Sequence, residues 1–245
     1  MDATVVVSGA GTGIGRAVVT RMVRDGRHVT AIGRRREPLE AVRAACADGT
    51  VDVVPADVAT EAGATAVAEQ VRAAGRACAG VVAAAGGISA SDGASLAEVR
   101  QDWQACFEAN VLTAVLLVEA LRPHLDASAG RVVLLSSVAA LRGSGGGPYG
   151  AMKAALHAWV FDLARDLGVH GGTANVVAPG FVPDTEFWAG RLSDESRARR
   201  AAQTLVGRAG TPDEVAGLIG WLLGPDGGWV TGQILSPNGG VVLGR

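Results

Sequence analysis

A glycine-rich turn between a short apolar strand and a helix most constrains how this chain can fold. Residues Thr4–Val7 are all β-branched, which is typical of a parallel strand buried on both faces. The turn Ser8–Gly15 follows, with glycine at positions 9, 11, 13 and 15. A helix is then predicted over Ile14–Arg24, and Gly26 predicts its end. This strand–turn–helix unit predicts an α/β fold with a parallel sheet.

The same alternation continues to the end of the chain. Further strands are predicted at 28–32, 51–54, 81–86, 131–135, 174–177 and 233–235. Helices are predicted at about 60–74, in a long region ending near 125, and at 149–167 and 212–223. Strands that alternate with helices predict a Rossmann-type, doubly wound parallel sheet of about seven strands, with helices on both faces. Residues 1–245 are interpreted as one NAD(P)-binding Rossmann domain, with a charged substrate lid at about 183–205.

Composition argues against several classes of function. The formal net charge of −2 gives no general attraction to nucleic acid or to an anionic membrane. No run approaches the roughly 20 apolar residues of a membrane span, and no basic leader with an apolar core precedes the first strand. Cys46, Cys78 and Cys106 lie far apart, and the histidines show no ligand spacing. We therefore expect a cytoplasmic protein with reduced thiols and no metal site.

Two strand ends carry residues suited to a dinucleotide. Glycines after the first strand let the backbone approach a pyrophosphate, which the helix N-terminal amides bind, although the spacing is not the general G-x-G-x-x-G fingerprint. NAD-binding proteins usually carry an acid about 20 residues past the glycines. Here Arg34 and Arg35 follow the second strand instead, and a guanidinium suits a 2′-phosphate. NADP(H) is therefore predicted, with NAD(H) as the alternative cofactor and a solvated basic loop as the alternative reading of the arginines.

The chain has one tyrosine, Tyr149, and one lysine, Lys153, against twenty-one arginines. Four residues apart on a helix, the two side chains would lie on one face, one turn apart. A free phenol, with a pKa of about 10, transfers protons poorly at neutral pH, and a nearby ammonium lowers that pKa. The pair indicates a proton-transfer site, and an ordinary half-exposed tyrosine beside a surface lysine is the alternative.

With these residues in place, the chain resembles the short-chain dehydrogenases/reductases of the compact, single-domain type over nearly its whole length. The turn Ser8-Gly9-x-x-x-Gly13-x-Gly15 is similar to the family's T-G-x-x-x-G-x-G cofactor turn, with Ser in place of Thr. Four more residues, in the family's order, are similar to its catalytic tetrad: Asn110, Ser137, Tyr149 and Lys153.

The resemblance implies a cofactor site and an adjoining substrate site at the carboxyl edge of the sheet. The cofactor contacts are expected from Ser8, Gly9, Gly11, Thr12, Gly13, Ile14, Gly15, Arg34, Arg35, Asp57, Val58, Ala84, Ala85, Gly86, Tyr149, Lys153, Pro179, Gly180, Val182 and Thr185. The substrate contacts are expected from Ser137, Val138, Gly147, Tyr149, Phe181, Phe187 and Trp188.

The roles implied for the tetrad are those of a carbonyl reductase. Tyr149 would donate a proton to the substrate carbonyl while hydride arrives from the nicotinamide, and Ser137 would polarise that carbonyl. Lys153 would lower the pKa of Tyr149 and hold the nicotinamide ribose, and Asn110 would support a proton-relaying water. The family also implies a homotetramer or homodimer built on helices near 111–121 and 151–167. In the second helix, a face of small residues suits such an interface, and core packing is the alternative.

Three departures from the family's pattern affect this interpretation. The family often has Asn-Asn-Ala-Gly where this chain has Ala83–Gly86, so amides that brace the central strands are missing. Thr12 stands where many NADP-preferring relatives carry a basic residue. The spacing from Ser137 to Tyr149 is one residue shorter than in many relatives, which makes Ser136 the alternative catalytic serine.

The sequence therefore predicts an NADP(H)-dependent oxidoreductase that acts on a ketone or secondary alcohol of a small, biosynthetic substrate. One alternative is a 3-oxoacyl-(acyl-carrier-protein) or polyketide-type ketoreductase, and another is a non-catalytic NADP-binding sensor. An acidic carrier protein would dock on basic residues, and the lid does contain an arginine cluster: Arg191, Arg197, Arg199 and Arg200. We interpret the cluster as the polar face of a lid helix that pairs with Asp194 and Glu195.

Overall fold

The computed structural model describes residues 3–88, 95–143 and 147–244. The strands are β1 (Ala3–Ser8), β2 (His28–Gly33), β3 (Val51–Pro55), β4 (Ala77–Ala83), β5 (Arg131–Leu135), β6 (Thr173–Val177) and β7 (Ile234–Leu235). The α-helices are α1 (Gly13–Arg24), α2 (Arg36–Ala44), α3 (Glu61–Ala73), α4 (Leu96–Phe107), α5 (Thr113–Ser128), α6 (Ala139–Arg142), α7 (Tyr149–Gly168), α8 (Asp194–Ala202) and α9 (Pro212–Leu223). A π-helical turn, Glu108–Leu112, joins α4 to α5, and 3-10 turns lie at Glu186–Trp188 and Pro225–Gly227.

Over these ranges, seven parallel strands form one sheet in the order β3-β2-β1-β4-β5-β6-β7. The predicted Rossmann-type, doubly wound sheet is confirmed. The strand order reverses between β1 and β4, so the connections that leave these two strands diverge. Their divergence opens a crevice at the carboxyl edge of the sheet, where ligands bind in such folds.

Helices cover both faces of the sheet because every central strand is apolar on both sides. In β1, the side chains of Val5 and Val7 pack in one core cluster and that of Val6 in the other, as the alternation along a strand requires. Buried residues of α1, α2 and α9 complete the first cluster, and those of α3, α5 and α7 complete the second. This continuous burial explains why the strands read as uninterrupted apolar runs.

The helix that runs from Leu96 to Leu125 is long and apolar enough to cross a membrane, with a mean hydropathy of 1.4. It is the one such helix within the described ranges. The sequence analysis predicted a long helical region ending near 125, but it did not predict a segment apolar enough to span a membrane. Its side chains at Leu117, Leu121 and Leu125 are fully buried in the second core cluster. Packing against the sheet therefore accounts for its apolar character.

Helix α2 is the main element that the sequence interpretation missed. It begins at Arg36, immediately after Arg34 and Arg35, and its charged sequence hides a short apolar face. Leu39 and Val42, three residues apart, are the side chains that it buries. The helix therefore fixes the position at which the two preceding arginines leave β2.

The bounds of one predicted strand also shift by several residues. Strand β4 begins at Ala77 and ends at Ala83, so the stretch predicted as its second half forms a loop. The region predicted as a lid contains the Glu186–Trp188 turn and α8.

Candidate active site

In the turn after β1, two glycine positions are too tightly packed to accept a side chain. Gly9 adopts a φ of 65°, and a Cβ there would lie 2.9 Å from the backbone of Ala84. A Cβ at Gly15 would lie 2.1 Å from the carbonyl oxygen of Gly9. The turn therefore lies directly on the loop after β4, with the N-terminus of α1 behind it. A bare backbone at a helix N-terminus is the arrangement that binds a pyrophosphate.

Two adjoining cavities of about 520 and 380 Å³ open at the carboxyl edge of the sheet. They share lining residues, among them Gly9, Thr12, Gly86 and Glu186. Every residue predicted to contact the cofactor lines one or both cavities. The larger cavity includes Ser8, Gly11, Arg34, Arg35, Asp57 and Val58. The smaller one includes Gly13, Ile14, Gly15, Ala84, Tyr149, Lys153, Pro179, Gly180, Val182 and Thr185, and Ala85 lines both.

Hydrogen bonds from outside the loop brace the end of β4. Ala85 donates its backbone N–H to Ser8 Oγ at 3.1 Å. Gly87 donates its N–H to Asn110 Oδ1 at 3.2 Å, and Asn110 Nδ2 donates back to the Gly87 carbonyl at 2.7 Å. Ser8 and Asn110 therefore hold the loop that lacks the family's amide side chains.

Asn110 lies in the π-helical turn, an irregularity often found at functional sites. Its side chain is 1% exposed, and its Nδ2 also donates to the Cys106 carbonyl at 2.9 Å. Both amide protons are thus committed to Cys106 and Gly87. A relayed water would have to use the remaining Oδ1 lone pair or the backbone carbonyl of Asn110.

The tyrosine, the lysine and both candidate serines lie around the smaller cavity. Lys153 is 3% exposed, its Nζ donates to the Leu135 carbonyl at 2.8 Å, and it lies 5.9 Å from the Tyr149 ring centroid. Ser136 is engaged elsewhere, because its Oγ contacts the Lys153 carbonyl at 3.0 Å and His157 Nε2 at 2.8 Å. Ser137, by contrast, is hydrogen-bonded to Tyr149. This geometry favours Ser137 over Ser136 as the residue that contacts substrate.

The pKa of Tyr149 differs from the sequence-based expectation. Burial raises it to about 12, and the hydrogen bond with Ser137 acts in the opposite direction. Burial also lowers the pKa of Lys153 to about 8. Burial is thus the largest influence on both side chains, and the net pKa of Tyr149 lies above that of a free phenol, not below it as the sequence analysis expected.

The lid covers the tyrosine with aromatic side chains. The ring of Phe187 lies 5.4 Å from that of Tyr149, and Trp188 packs edge-on against Phe187 at 5.1 Å. Phe181 packs edge-on against Trp188, with the ring centroids 5.4 Å apart, and it lines a separate cavity of about 180 Å³. Of the residues predicted to contact substrate, Phe181 is therefore the one that supports the lid from outside the main cavities.

Two other predicted substrate residues also lie away from the lining. Val138 is buried, and its N–H donates to the Pro179 carbonyl at 2.8 Å. Gly147 is exposed with a φ of 72°, two residues before α7 begins at Tyr149. Both shape the backbone around Ser137 and Tyr149.

The lid arginines make contacts that the sequence interpretation did not predict. Arg197 pairs with Asp184 at 3.2 Å, outside the helix, and not with the acids at the start of α8. Arg200 lies 4.9 Å from the Trp188 ring centroid, and Arg191 lies 5.9 Å from that of Phe187. Cations above aromatic rings stabilise this arrangement, so these arginines hold the lid together.

Two residues that the sequence interpretation missed belong to the site. Glu186 lines both cavities and pairs with Arg35, 151 residues away, at 2.5 Å. His157 contacts the Ser136 hydroxyl beside the lysine backbone. No local spacing reveals such pairs, although His157 does lie four residues after Lys153 on the same helix. Among the described residues, no cluster of three or more His, Cys, Asp or Glu side chains could hold a metal ion.

Comparisons with known proteins match nearly the whole chain. A family model described as enoyl-(acyl carrier protein) reductase matches residues 9–242. The short-chain reductase protein NovJ of Streptomyces niveus is 33% identical over 98% of this chain and 94% of its own length. The 3-oxoacyl-(acyl-carrier-protein) reductase FabG of Escherichia coli is 34% identical over 58% of this chain and 59% of its own. The solved Pseudomonas aeruginosa RhlG/NADP active-site complex has a TM-score of 0.87 and 27% identity, covering 98% of this chain and 96% of that one.

The raised pKa of Tyr149 can be measured without interference, because the chain has no other tyrosine. In the protein without nucleotide, we expect little phenolate absorbance near 295 nm at pH 10, where a free phenol is about half ionised. The Tyr149→Phe variant gives the baseline, and circular dichroism checks that the fold persists at that pH. A midpoint below 10 would mean that the Lys153 charge outweighs burial.

Proposed function

Because the chain belongs to the short-chain dehydrogenase/reductase family of oxidoreductases, we propose that it uses NADP(H) to interconvert a ketone and a secondary alcohol of a small substrate. One observation carries the proposal. Ser137, Tyr149 and Lys153 line a cavity that is continuous with the glycine turn and the arginines after β2. A proton donor thus lies next to a site built for a dinucleotide, which a sensor without turnover would not need.

The chain's own residues fit the cofactor. Gly9 and Gly15 let the turn pack closely on its neighbours, and its backbone at the N-terminus of α1 would hold the pyrophosphate. Asp57 and Val58, which line the larger cavity, would contact the adenine, and Arg34, which lines the same cavity, would bind the 2′-phosphate through its guanidinium. When bound, the nicotinamide supplies the hydride for reduction or accepts it for oxidation.

Tyr149 and Ser137 do the acid–base work at the substrate oxygen. The raised pKa keeps the Tyr149 phenol protonated at neutral pH, which is the form that reduction requires. Ser137 Oγ donates a hydrogen bond to the same oxygen and stabilises the negative charge that develops there. Lys153 places a cation beside the tyrosine as it gives up its proton.

The lid determines the kind of substrate that the smaller cavity accepts. Phe187 and Trp188 cover the cavity beside Tyr149 with apolar surface, which excludes water from the reacting groups. A cavity of about 380 Å³ that combines this apolar cover with the polar side chains of Ser137, Tyr149 and Lys153 suits a free ketone of small size, such as a cyclic one, as expected for a biosynthetic reductase.

An acyl group tethered to a carrier protein is the second candidate substrate, favoured by the arginine cluster on the lid. Arg199 is exposed on α8, and an acidic carrier protein would dock on such a cation. Arg191, Arg197 and Arg200, however, are already engaged by lid residues. We therefore favour the free ketone.

We further propose a cytoplasmic homotetramer or homodimer. On α7, Ala151, Ala155 and Ala158 are exposed, and Phe161 is 44% exposed. The exposure of these side chains argues against core packing of this face on the sheet. A symmetric copy could approach it closely, because small side chains let two helices come together.

Replacing Tyr149 with Phe keeps the ring and removes the proton donor. We expect turnover of a ketone to fall by about 10²–10⁴-fold, the usual contribution of general acid catalysis. NADPH oxidation with a panel of cyclic and open-chain ketones provides the measurement. Unchanged NADPH binding and unchanged circular dichroism are the controls, and near-normal turnover would reject the assignment. Lys153→Arg should fail as well, since a planar guanidinium cannot replace the buried ammonium.

Arg34→Ala should reduce the preference for NADPH over NADH. A hydrogen bond to a charged group contributes about 1.5–3 kcal/mol, so the ratio of the two dissociation constants should fall by about tenfold or more. Arg36→Ala is the matched control, because Arg36 lies only two residues after Arg34 but pairs with Glu40 at 3.3 Å. Equal dissociation constants for NADPH and NADH in the unmodified protein would contradict the assignment of NADP(H).

The two candidate substrates can be separated with one acyl group in two forms. We expect kcat/KM for a 3-oxoacyl group on a small thioester to equal or exceed that for the same group on a carrier protein. The comparison is made at two ionic strengths, because docking on arginines would be screened by salt. A large, salt-sensitive preference for the carrier-bound form would favour the second candidate instead.

A further inference from the structure

The ion pair between Arg35 and Glu186 joins two distant parts of the cofactor crevice. Arg35 precedes α2, and Glu186 opens the 3-10 turn of the lid. Their side chains meet at 2.5 Å although both are well exposed, at 62% and 55% of their surface. Both residues also line the larger cavity. The pair therefore lies in solvent at the mouth of the site, where an incoming ligand can reach both partners.

Arg34 and Arg35 are not equivalent. Over the described ranges, Arg34 makes no ion pair or side-chain hydrogen bond, whereas one Nη of Arg35 is occupied by the Glu186 carboxylate. A phosphate monoester would bind Arg35 through the same donor. It would also meet the negative charge of Glu186 at short range, which opposes its binding.

Glu186 also places a carboxylate in this cavity, although no acidic residue stands at the end of β2. NAD-binding relatives of this fold usually place an acid there, which discriminates against a 2′-phosphate. In this chain arginines occupy that position, and the carboxylate reaches the cavity from the lid instead. An acid and two arginines thus act on the same ligand group in opposite directions.

We propose that Glu186 is a specificity-determining residue that competes with the cofactor's 2′-phosphate for Arg35 and so weakens the preference for NADP(H) over NAD(H). The inference rests on the proposed function for its cofactor, and it adds a residue that opposes that cofactor.

The test replaces Glu186 with Gln, which keeps the shape of the side chain and removes its charge. Dissociation constants are measured for NADPH, NADH, adenosine 2′,5′-bisphosphate and AMP by calorimetry, without any substrate. We expect NADPH and the bisphosphate to bind about two- to fivefold more tightly, the range that exposed ion pairs give. The constants for NADH and AMP should change less, and the gain should shrink at high ionic strength.

Asp184→Asn is the matched control, because Asp184 is an exposed lid acid that pairs with Arg197. Its constants for NADPH should equal those of the unmodified protein. Competition for Arg35 further predicts that Glu186→Gln has a smaller effect in an Arg35→Ala background than in the unmodified protein.

Each outcome bears on a different statement. An unchanged or weaker affinity for NADPH in Glu186→Gln overturns the inference, whatever happens to NADH. An equal gain in NADPH affinity in the Arg35→Ala background, or in Asp184→Asn, overturns the inference as well. The gain would then come from the loss of a negative charge in general and not from competition for Arg35. Binding of neither dinucleotide to the unmodified protein rejects the proposed cofactor and the inference together. Normal binding without ketone turnover rejects only the proposed reaction.

Discussion

The close contact between the turn after β1 and the loop after β4 is the constraint on which the site depends. Gly9 allows the two backbones to meet, and Ser8 Oγ accepts the hydrogen bond that joins them. Gly15 lets the N-terminus of α1 pack against the same turn. Because β1 and β4 flank the point where strand order reverses, this contact forms the floor of the crevice. Asn110 then ties the same loop to the helix behind it. One packed junction thus fixes the cofactor cradle relative to the proton donor.

Much of this arrangement could be predicted from the sequence, because parallel strands end at a common edge. Residues that follow strands, such as Gly9, Asp57 and Ser137, therefore had to lie near one another, and they line the same pair of cavities. Glu186 could not be predicted, since its partner is 151 residues away and is brought to it only by the lid. Helix α2 escaped notice for another reason. It buries only Leu39 and Val42, too few apolar positions to reveal a helical period.

The balance of forces at Tyr149 shows where spacing alone misleads. Four-residue spacing correctly predicts that a phenol and an ammonium share one helix face, but it carries no information on burial. Burial beside the Phe187 ring and the edge of the sheet removes water from these groups. The pKa of Tyr149 is therefore raised and that of Lys153 is lowered, and each shift favours the neutral form of the side chain. The site therefore holds a protonated phenol beside a lysine that loses its charge more easily than usual.

The burial of Lys153 has a consequence for handling this protein. Reagents that acylate amines normally modify many surface lysines, whereas this chain offers one, 3% exposed and held by the Leu135 carbonyl. Its lowered pKa makes the free amine more abundant near neutral pH, so access rather than basicity limits the reaction. The rate at which the lysine side chain is acylated then measures how often the crevice opens. A bound nucleotide that closes the crevice would lower this rate.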